Sequence, residues 1–197
     1  MSKAKKTKAY IIEKSATIFN TKGYAGTSLN DITTATGLTK GSIYGNFEDK
    51  KDIAAAVYKY NVAGIMTRMS EASDKEEMAC DKLFAIVNHY RKNWKKVFDW
   101  GGCPVLNASI EADDNLPFLK KNVQYTLKRW AEYIADIINL GKEQKQIGKN
   151  VDAVHYANTI ILLLEGGIMM AKINNKPELL FIALDRIELI INQELKK

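Results

Sequence analysis

Only two cysteines (Cys80 and Cys103), two histidines (His89 and His155) and three prolines occur in the 197 residues. Two thiols cannot build a disulfide framework or a four-ligand zinc site, and the two histidines have no metal-ligand spacing. The expectation is therefore no metal and no cofactor. Scarce proline, with only 12 glycines, excludes a collagen-like or linker chain; 46% hydrophobic and 26% charged residues describe a folded, helix-rich domain instead. No apolar signal segment opens the chain, which begins on a lysine-rich stretch, so the expected location is cytoplasmic. The most apolar run, Val154 to Ala171, is interrupted by His155, Asn158, Thr159 and Glu165, and reads as a buried helix with no membrane partner. Asn107-Ala108-Ser109 matches a glycosylation triplet, which has no consequence without export.

Arginine is missing from the first 60 residues, yet these hold most of the excess charge. They carry 10 Lys against 5 Asp and Glu, whereas residues 61–197 carry 19 Lys and Arg against 18 acids. A concentrated lysine excess suits a polyanion, because cations that neutralise phosphates release condensed counterions. Charge alone serves equally well as a solubilising tail.

Enzyme motifs are also absent. Gly37-Leu38-Thr39-Lys40-Gly41-Ser42 has three residues between its glycines, where a phosphate loop needs four and a lysine before its Ser/Thr. There is no G-x-G-x-x-G and no G-x-S-x-G. Glu111, Asp113 and Asp114 precede a helix and read as charges that complement its dipole. The expectation is no catalytic residue.

What is present is helical periodicity. Apolar spacing and glycine stops predict helices over about 6–22, a two-turn helix opened by Ser28 and ended by Gly37, a short one from Lys40 to Asn46 capped by Thr39, and a long one from Ile53 to about Glu71. Further helices are expected from Met78 to Trp100, from Val105 to Glu111, and from a cap at Asp113-Asp114-Asn115 through Leu140. Two more cover Val151 to Ala171 and Pro177 to Leu195. No run alternates with period two, so the expected class is all-α, with a three-helix, helix-turn-helix head over 1–52 and a helical body over 53–197.

The segment Thr27-Ser28-Leu29-Asn30-Asp31-Ile32, then Gly37-Leu38-Thr39-Lys40-Gly41-Ser42-Ile43-Tyr44, then Phe47 and Lys50, resembles the DNA-binding signature of the TetR family of bacterial repressors. The resemblance is close over about residues 8–60; beyond them it rests on length and helix order. It implies a DNA-binding head, an effector-binding body and a homodimer. One departure stands at Gly45-Asn46, where many members place a bulky aromatic or histidine.

Residue chemistry nominates the same surface. A recognition helix offers its N-terminal side chains to the major groove. Thr27, Ser28, Thr39, Lys40, Ser42, Tyr44, Asn46 and Lys50 are types that reach base edges or phosphates, and Gly41 permits close approach. The Lys3–Lys8 stretch is expected as an unstructured electrostatic arm. A roughly palindromic double-stranded operator is the expected partner.

In the body, His89, Trp94, Trp100, Cys103, Asn107, Tyr125, Trp130, Asn158, Glu165 and Met169 are candidates to line a cavity for a small apolar or aromatic effector. Cys103 is also a candidate sensor of electrophiles or oxidants, since it precedes a short helix whose free amides favour a thiolate. Two apolar stripes, Val154, Ala157, Ile161, Leu164 and Ile168, then Leu180, Leu184, Ile187 and Ile191, are expected at a homodimer interface, with Gly166-Gly167 allowing helices to approach.

Overall fold

The computed structural model describes residues 2–114 and 116–197. Among them are nine α-helices and no strand. They are α1 (Lys3–Lys22), α2 (Leu29–Thr36), α3 (Lys40–Tyr44), α4 (Lys50–Ser73), α5 (Ala79–Asp99), α6 (Pro104–Asp114), α7 (Pro117–Glu143), α8 (Ala153–Asn174) and α9 (Glu178–Leu189), the last continued by a π-helical turn over Ile190–Leu195. The all-α expectation holds. Asn115, part of the cap expected before α7, and the side chain of Asp114 lie outside the described residues.

Local chemistry accounts for the short helices. Ser28 Oγ accepts the Asp31 N–H at 3.1 Å while Asp31 accepts the Ser28 N–H at 2.8 Å, the reciprocal box that satisfies two orphan donors of α2. Gly37 ends α2 in the left-handed conformation, φ 67°. Thr39 caps α3 by accepting the Ser42 N–H.

Two boundaries differ from expectation. The Lys3–Lys8 stretch is not an unstructured arm: α1 already begins at Lys3, with Ser2 Oγ accepting the Lys5 N–H. Lysine and alanine are strong helix formers, and Lys8 is tied down over the Phe47 ring, 4.4 Å from its centroid. Likewise α4 begins at Lys50 rather than Ile53, because Asp49 accepts the Asp52 N–H and opens the helix earlier.

The chain divides into two compact units that interleave in sequence: 1–64 with 100–125, and 65–99 with 126–197. The first unit has an apolar core of Ile11, Phe19, Tyr24, Ile32, Ile43, Phe47, Ile53 and Val57, completed by Ala108, Ala112, Leu119 and Val123 from α6 and α7. In the second unit α8 packs along α9, and α9 against α5. Gly167 lies in the α8–α9 contact, where an added Cβ would stand 2.7 Å from the Ala183 Cβ. Arg91 of α5 bridges Asp185 and Glu188 of α9 at 2.7 and 2.9 Å. α5 is capped from afar: Gln144 accepts the Ala79 N–H and Gln146 the Cys80 N–H, while the C-terminal Lys196 pairs with Ile147 in a single antiparallel bridge.

The stripes expected at a homodimer interface are largely taken up within the chain. Ala157, Ile161, Leu164, Ile168, Leu180, Leu184, Ile187 and Ile191 are all buried within the chain, leaving only Val154 of that set exposed. Their spacing is that of the α8–α9 contact inside one protomer, and a 3.6-residue period does not say which protomer supplies the opposing face. The apolar side chains turned to solvent are others: Leu162, Met169, Met170 and Ile173 on α8, Ile182 and Leu189 on α9. By length and composition α8 passes for a membrane-crossing helix, but its buried face is taken up by α9.

Candidate nucleic-acid interface

α2 and α3, joined by Gly37-Leu38-Thr39, form the helix-turn-helix, held by Ile32 and Ile43, both wholly buried. Burying Ile43 fixes which side of the five-residue α3 faces out. Lys40, Gly41 and Tyr44 are exposed there, with Tyr44 at 48%. Lys40 and Tyr44 are four residues apart, so they share one face of the helix. The Thr39 hydroxyl accepts from Ser42 and keeps its own proton to donate. This edge combines a cation, an aromatic hydroxyl, a hydroxyl donor and a side-chain-free position, the set a major-groove reader needs.

Other nominated residues are already engaged within the chain. Thr27 is fully buried and its hydroxyl donates to the Gly23 carbonyl at 2.7 Å. Ser28 shares its hydroxyl with Asp31. Asp31 also meets Lys22 Nζ at 2.6 Å, and that contact, with the Ser28 hydrogen bonds, holds its carboxyl well below the usual carboxylate range. Asn46 donates its amide to the Ser42 carbonyl at 2.8 Å, closing the end of α3. Lys50 Nζ reaches the Ala25 carbonyl at 2.9 Å. Of the four, Thr27 is buried, Asn46 and Lys50 are partly exposed, and Ser28 is exposed.

The candidates for an effector cavity are not gathered in one unit. Trp100, Cys103, Asn107 and Tyr125 belong to the first, and His89, Trp94, Trp130, Asn158, Glu165 and Met169 to the second. Asn107 spends its amide on Asn20 and Gly101, Tyr125 is 66% exposed, and Asn158 and Met169 are exposed. Cys103 is only 3% exposed; Cys80 is buried too, and burial pushes its thiol up. In the second unit Trp94 stacks edge-on with Phe98. His89 is partly buried, which lowers its pKa, as do the charges of Arg68 and Lys96. Trp130 is wholly buried, and its indole N–H has no acceptor among the described residues. An open groove of about 550 Å³ runs along α7 and α8, between Leu127, Ala131 and Ala135 on one side and Val154 and Asn158 on the other.

One residue with a clear structural task was read otherwise from sequence. Glu111 does not cap α7; it accepts the backbone N–H groups of Tyr24 and Ala25. Its partners are 86 and 87 residues away in the chain, a separation no local pattern reports.

Comparison with known proteins agrees with the head and the body alike. Residues 11–57 match the model of bacterial regulatory proteins of the tetR family, and residues 79–187 match the tetracyclin repressor-like C-terminal domain. A TetR-family transcriptional regulator from Cytophaga hutchinsonii superposes with TM-score 0.94 at 34% identity, covering 100% of this chain and 98% of that one. A TetR regulator from Chloroflexus aurantiacus gives 0.91 at 32%, covering 100% and 99%. The transcriptional repressor DhaR of Mycobacterium sp. strain GP1 is 24% identical over 169 residues, 86% of this chain and 84% of that protein. With a helix-turn-helix presenting Lys40 and Tyr44 and both family models matched in order, the chain belongs to the TetR family of DNA-binding transcriptional regulators.

Proposed function

We propose that the protein is a sequence-specific repressor that binds a roughly palindromic duplex as a homodimer and lets go when its body takes up a small, mostly apolar or aromatic effector. The exposed edge of α3 carries the DNA part of this reading. Lys40 and Tyr44 are the principal contacts, Thr39 and Ser42 contribute hydroxyls, and Gly41 admits the backbone close to the groove. Thr27, Ser28, Asn46 and Lys50 act by holding the helices that present them. In this reading residues 1–52 are the DNA-binding domain and 53–197 the effector-binding and dimerisation domain. Repression as the sign of control is supported by the mycobacterial relative, which is named a repressor.

Dimerisation is supported by the apolar side chains that α8 and α9 leave in solvent, with Leu162 at 73% and Ile173 at 79% exposure. An added Cβ at Gly166 on α8 would meet nothing within 4 Å, so a partner helix can approach closely there. A dimer also supplies the two recognition helices that two half-sites about 34–36 Å apart demand. An effector within the body is supported by the Trp130 indole, which has no acceptor among the described residues, with Trp94, His89 and Glu165 in the same unit. Thiol attack at Cys103 has less support than reversible binding, because a reactive thiol needs access and Cys103 is almost wholly covered.

Selection from a random duplex pool tests the reading. An enriched, roughly palindromic sequence is expected, with affinity falling steeply in salt, by a log–log slope of about −0.9 per phosphate contact. Sedimentation is expected at twice 22.2 kDa. A pool with no enriched sequence refutes sequence-specific binding, and a monomer at micromolar concentration refutes the dimer.

A further inference from the structure

The turn between α1 and α2 points two successive backbone N–H groups in one direction. Glu111 of α6 receives both: Tyr24 donates to Oε1 at 2.8 Å and Ala25 to Oε2 at 2.7 Å. Consecutive amides converging on an anion form a nest, and hydrogen bonds to an ionised acceptor are the strong kind. From the start of α4, Lys50 donates to the Ala25 carbonyl, so the same residue is gripped at both its N–H and its C=O. Gly23 belongs to this fit: its φ is +83°, and a Cβ there would stand 2.7 Å from Glu111 Oε1.

A second contact lies one helical turn earlier on the same face of α6. Asn107 donates to Asn20 O, Asn20 Oδ1 and Gly101 O at 3.0–3.1 Å, and Asn20 in return donates to Trp100 O and Gly102 O. Ala108 and Ala112, fully or almost fully buried, add small side chains from α6 to the apolar core. Two polar grips, four positions apart on α6, thus hold the C-terminal end of α1 and the turn that follows it.

We propose that Glu111 is a positioning residue for DNA binding: by holding the Tyr24–Ala25 turn in one conformation, it sets how α2 enters and therefore where α3 presents Lys40 and Tyr44. It touches no DNA and acts through the turn's backbone. The apolar core also draws on Ile11, Phe19, Ile32 and Ile43 of α1, α2 and α3. Losing the carboxylate is expected to loosen the turn rather than unfold the unit, because two hydrogen bonds are lost and no core side chain is removed. Glutamine is the informative replacement, because its NH₂ group turns a donor toward one of the two donors it must satisfy. The proposal rests on α2 and α3 being the DNA-reading helices.

The experiment compares wild type, Glu111→Gln and Glu111→Asp on a duplex that wild type selects from a random pool, and on a random-sequence duplex of equal length. For Glu111→Gln, affinity for the selected duplex is expected to fall by about tenfold, roughly the loss of one well-placed contact. Affinity for the random duplex is expected to stay near wild type, and amide exchange at Tyr24 and Ala25 to accelerate. Glu111→Asp, which keeps the charge but is one methylene shorter, is expected to fall between. The proposal is overturned if both variants bind the selected duplex as wild type does, if both duplexes weaken equally, or if exchange at Tyr24 and Ala25 is unchanged. Unfolding of both variants also overturns it, since the residue then serves the fold. A wild type that selects no sequence defeats the DNA-reading premise instead, while the amide exchange still reports the grip itself.

Discussion

The helix-turn-helix and the α8–α9 pair are built by opposite means. α2 and α3 are eight and five residues long and depend on polar side chains closing their ends: the Ser28–Asp31 box, Thr39 on Ser42, Asn46 on the last turn. α8 and α9 are long and apolar and depend on each other, with Gly167 set against Ala183. In both places residue type nominates more functional residues than geometry leaves available. In the head, polar groups are consumed by caps; in the body, apolar groups are consumed by core. Still exposed are Lys40, Gly41 and Tyr44 on α3, beside the Thr39 hydroxyl, and Leu162, Met169, Met170, Ile173, Ile182 and Leu189 on α8 and α9.

The sharpest way to break this comparison is to exchange neighbours on α3. Ile43→Ala removes a wholly buried side chain and is expected to cost about 2–5 kcal/mol in chemical denaturation. Tyr44→Ala, one residue on and exposed, is expected to change stability by no more than about 0.5 kcal/mol while weakening DNA binding. Equal stability losses would mean that α3 does not present the face described.

Next in size is the split between free and engaged polar groups. Lys40→Ala is expected to lose about 1–3 kcal/mol of affinity for the selected duplex, the worth of a good base contact. Asn46→Ala is expected to act mainly on stability, by about 1 kcal/mol, as the loss of one local hydrogen bond to the backbone. Titration of the two variants with selected and random duplexes separates the roles, and a larger affinity loss for Asn46→Ala would reverse them.

In the body the adjacent glycines give the corresponding contrast. Gly167→Ala drives a methyl into Ala183 and is expected to destabilise by about 1–3 kcal/mol. Gly166→Ala meets open space, so helix propensity is expected to raise protomer stability by up to about 1 kcal/mol while weakening self-association. Sedimentation equilibrium beside denaturation reads both, and unchanged association for Gly166→Ala would move the dimer face elsewhere.

The smallest effect concerns pH. Burial, with Tyr58 beside it, pushes the Tyr24 hydroxyl well above its ordinary value of 10.0. The unfolded chain therefore releases this proton first, and stability present below pH 10 is lost progressively above it. Tyr24→Phe is expected to flatten that decline in unfolding free energy between neutral and alkaline pH, and an unchanged slope would assign it to other groups.

Much of the fold was legible because its signals are local. The Ser28–Asp31 spacing, Thr39 before Lys40, and Gly37 at φ 67° act within three or four residues, so the chain's own order places α2 and α3. The basic first third and the Thr27–Lys50 pattern pointed to DNA for the same reason. Less legible were the limits of α1 and α4, set by Lys8 on Phe47 and by the Asp49 cap, and the fate of each nominated side chain.

By itself, then, the sequence determined the helical class, the helix-turn-helix and the family, all of which are written in periodicity, caps and spacing. Only tertiary structure decided that Thr27 turns inward, that the regular apolar stripes of α8 and α9 close on each other, that Cys103 is covered, and that Glu111 holds a turn 86 residues away. Helical period and capping are properties of neighbours along the chain. Burial and the choice of hydrogen-bond partner are settled by segments that meet only when it folds.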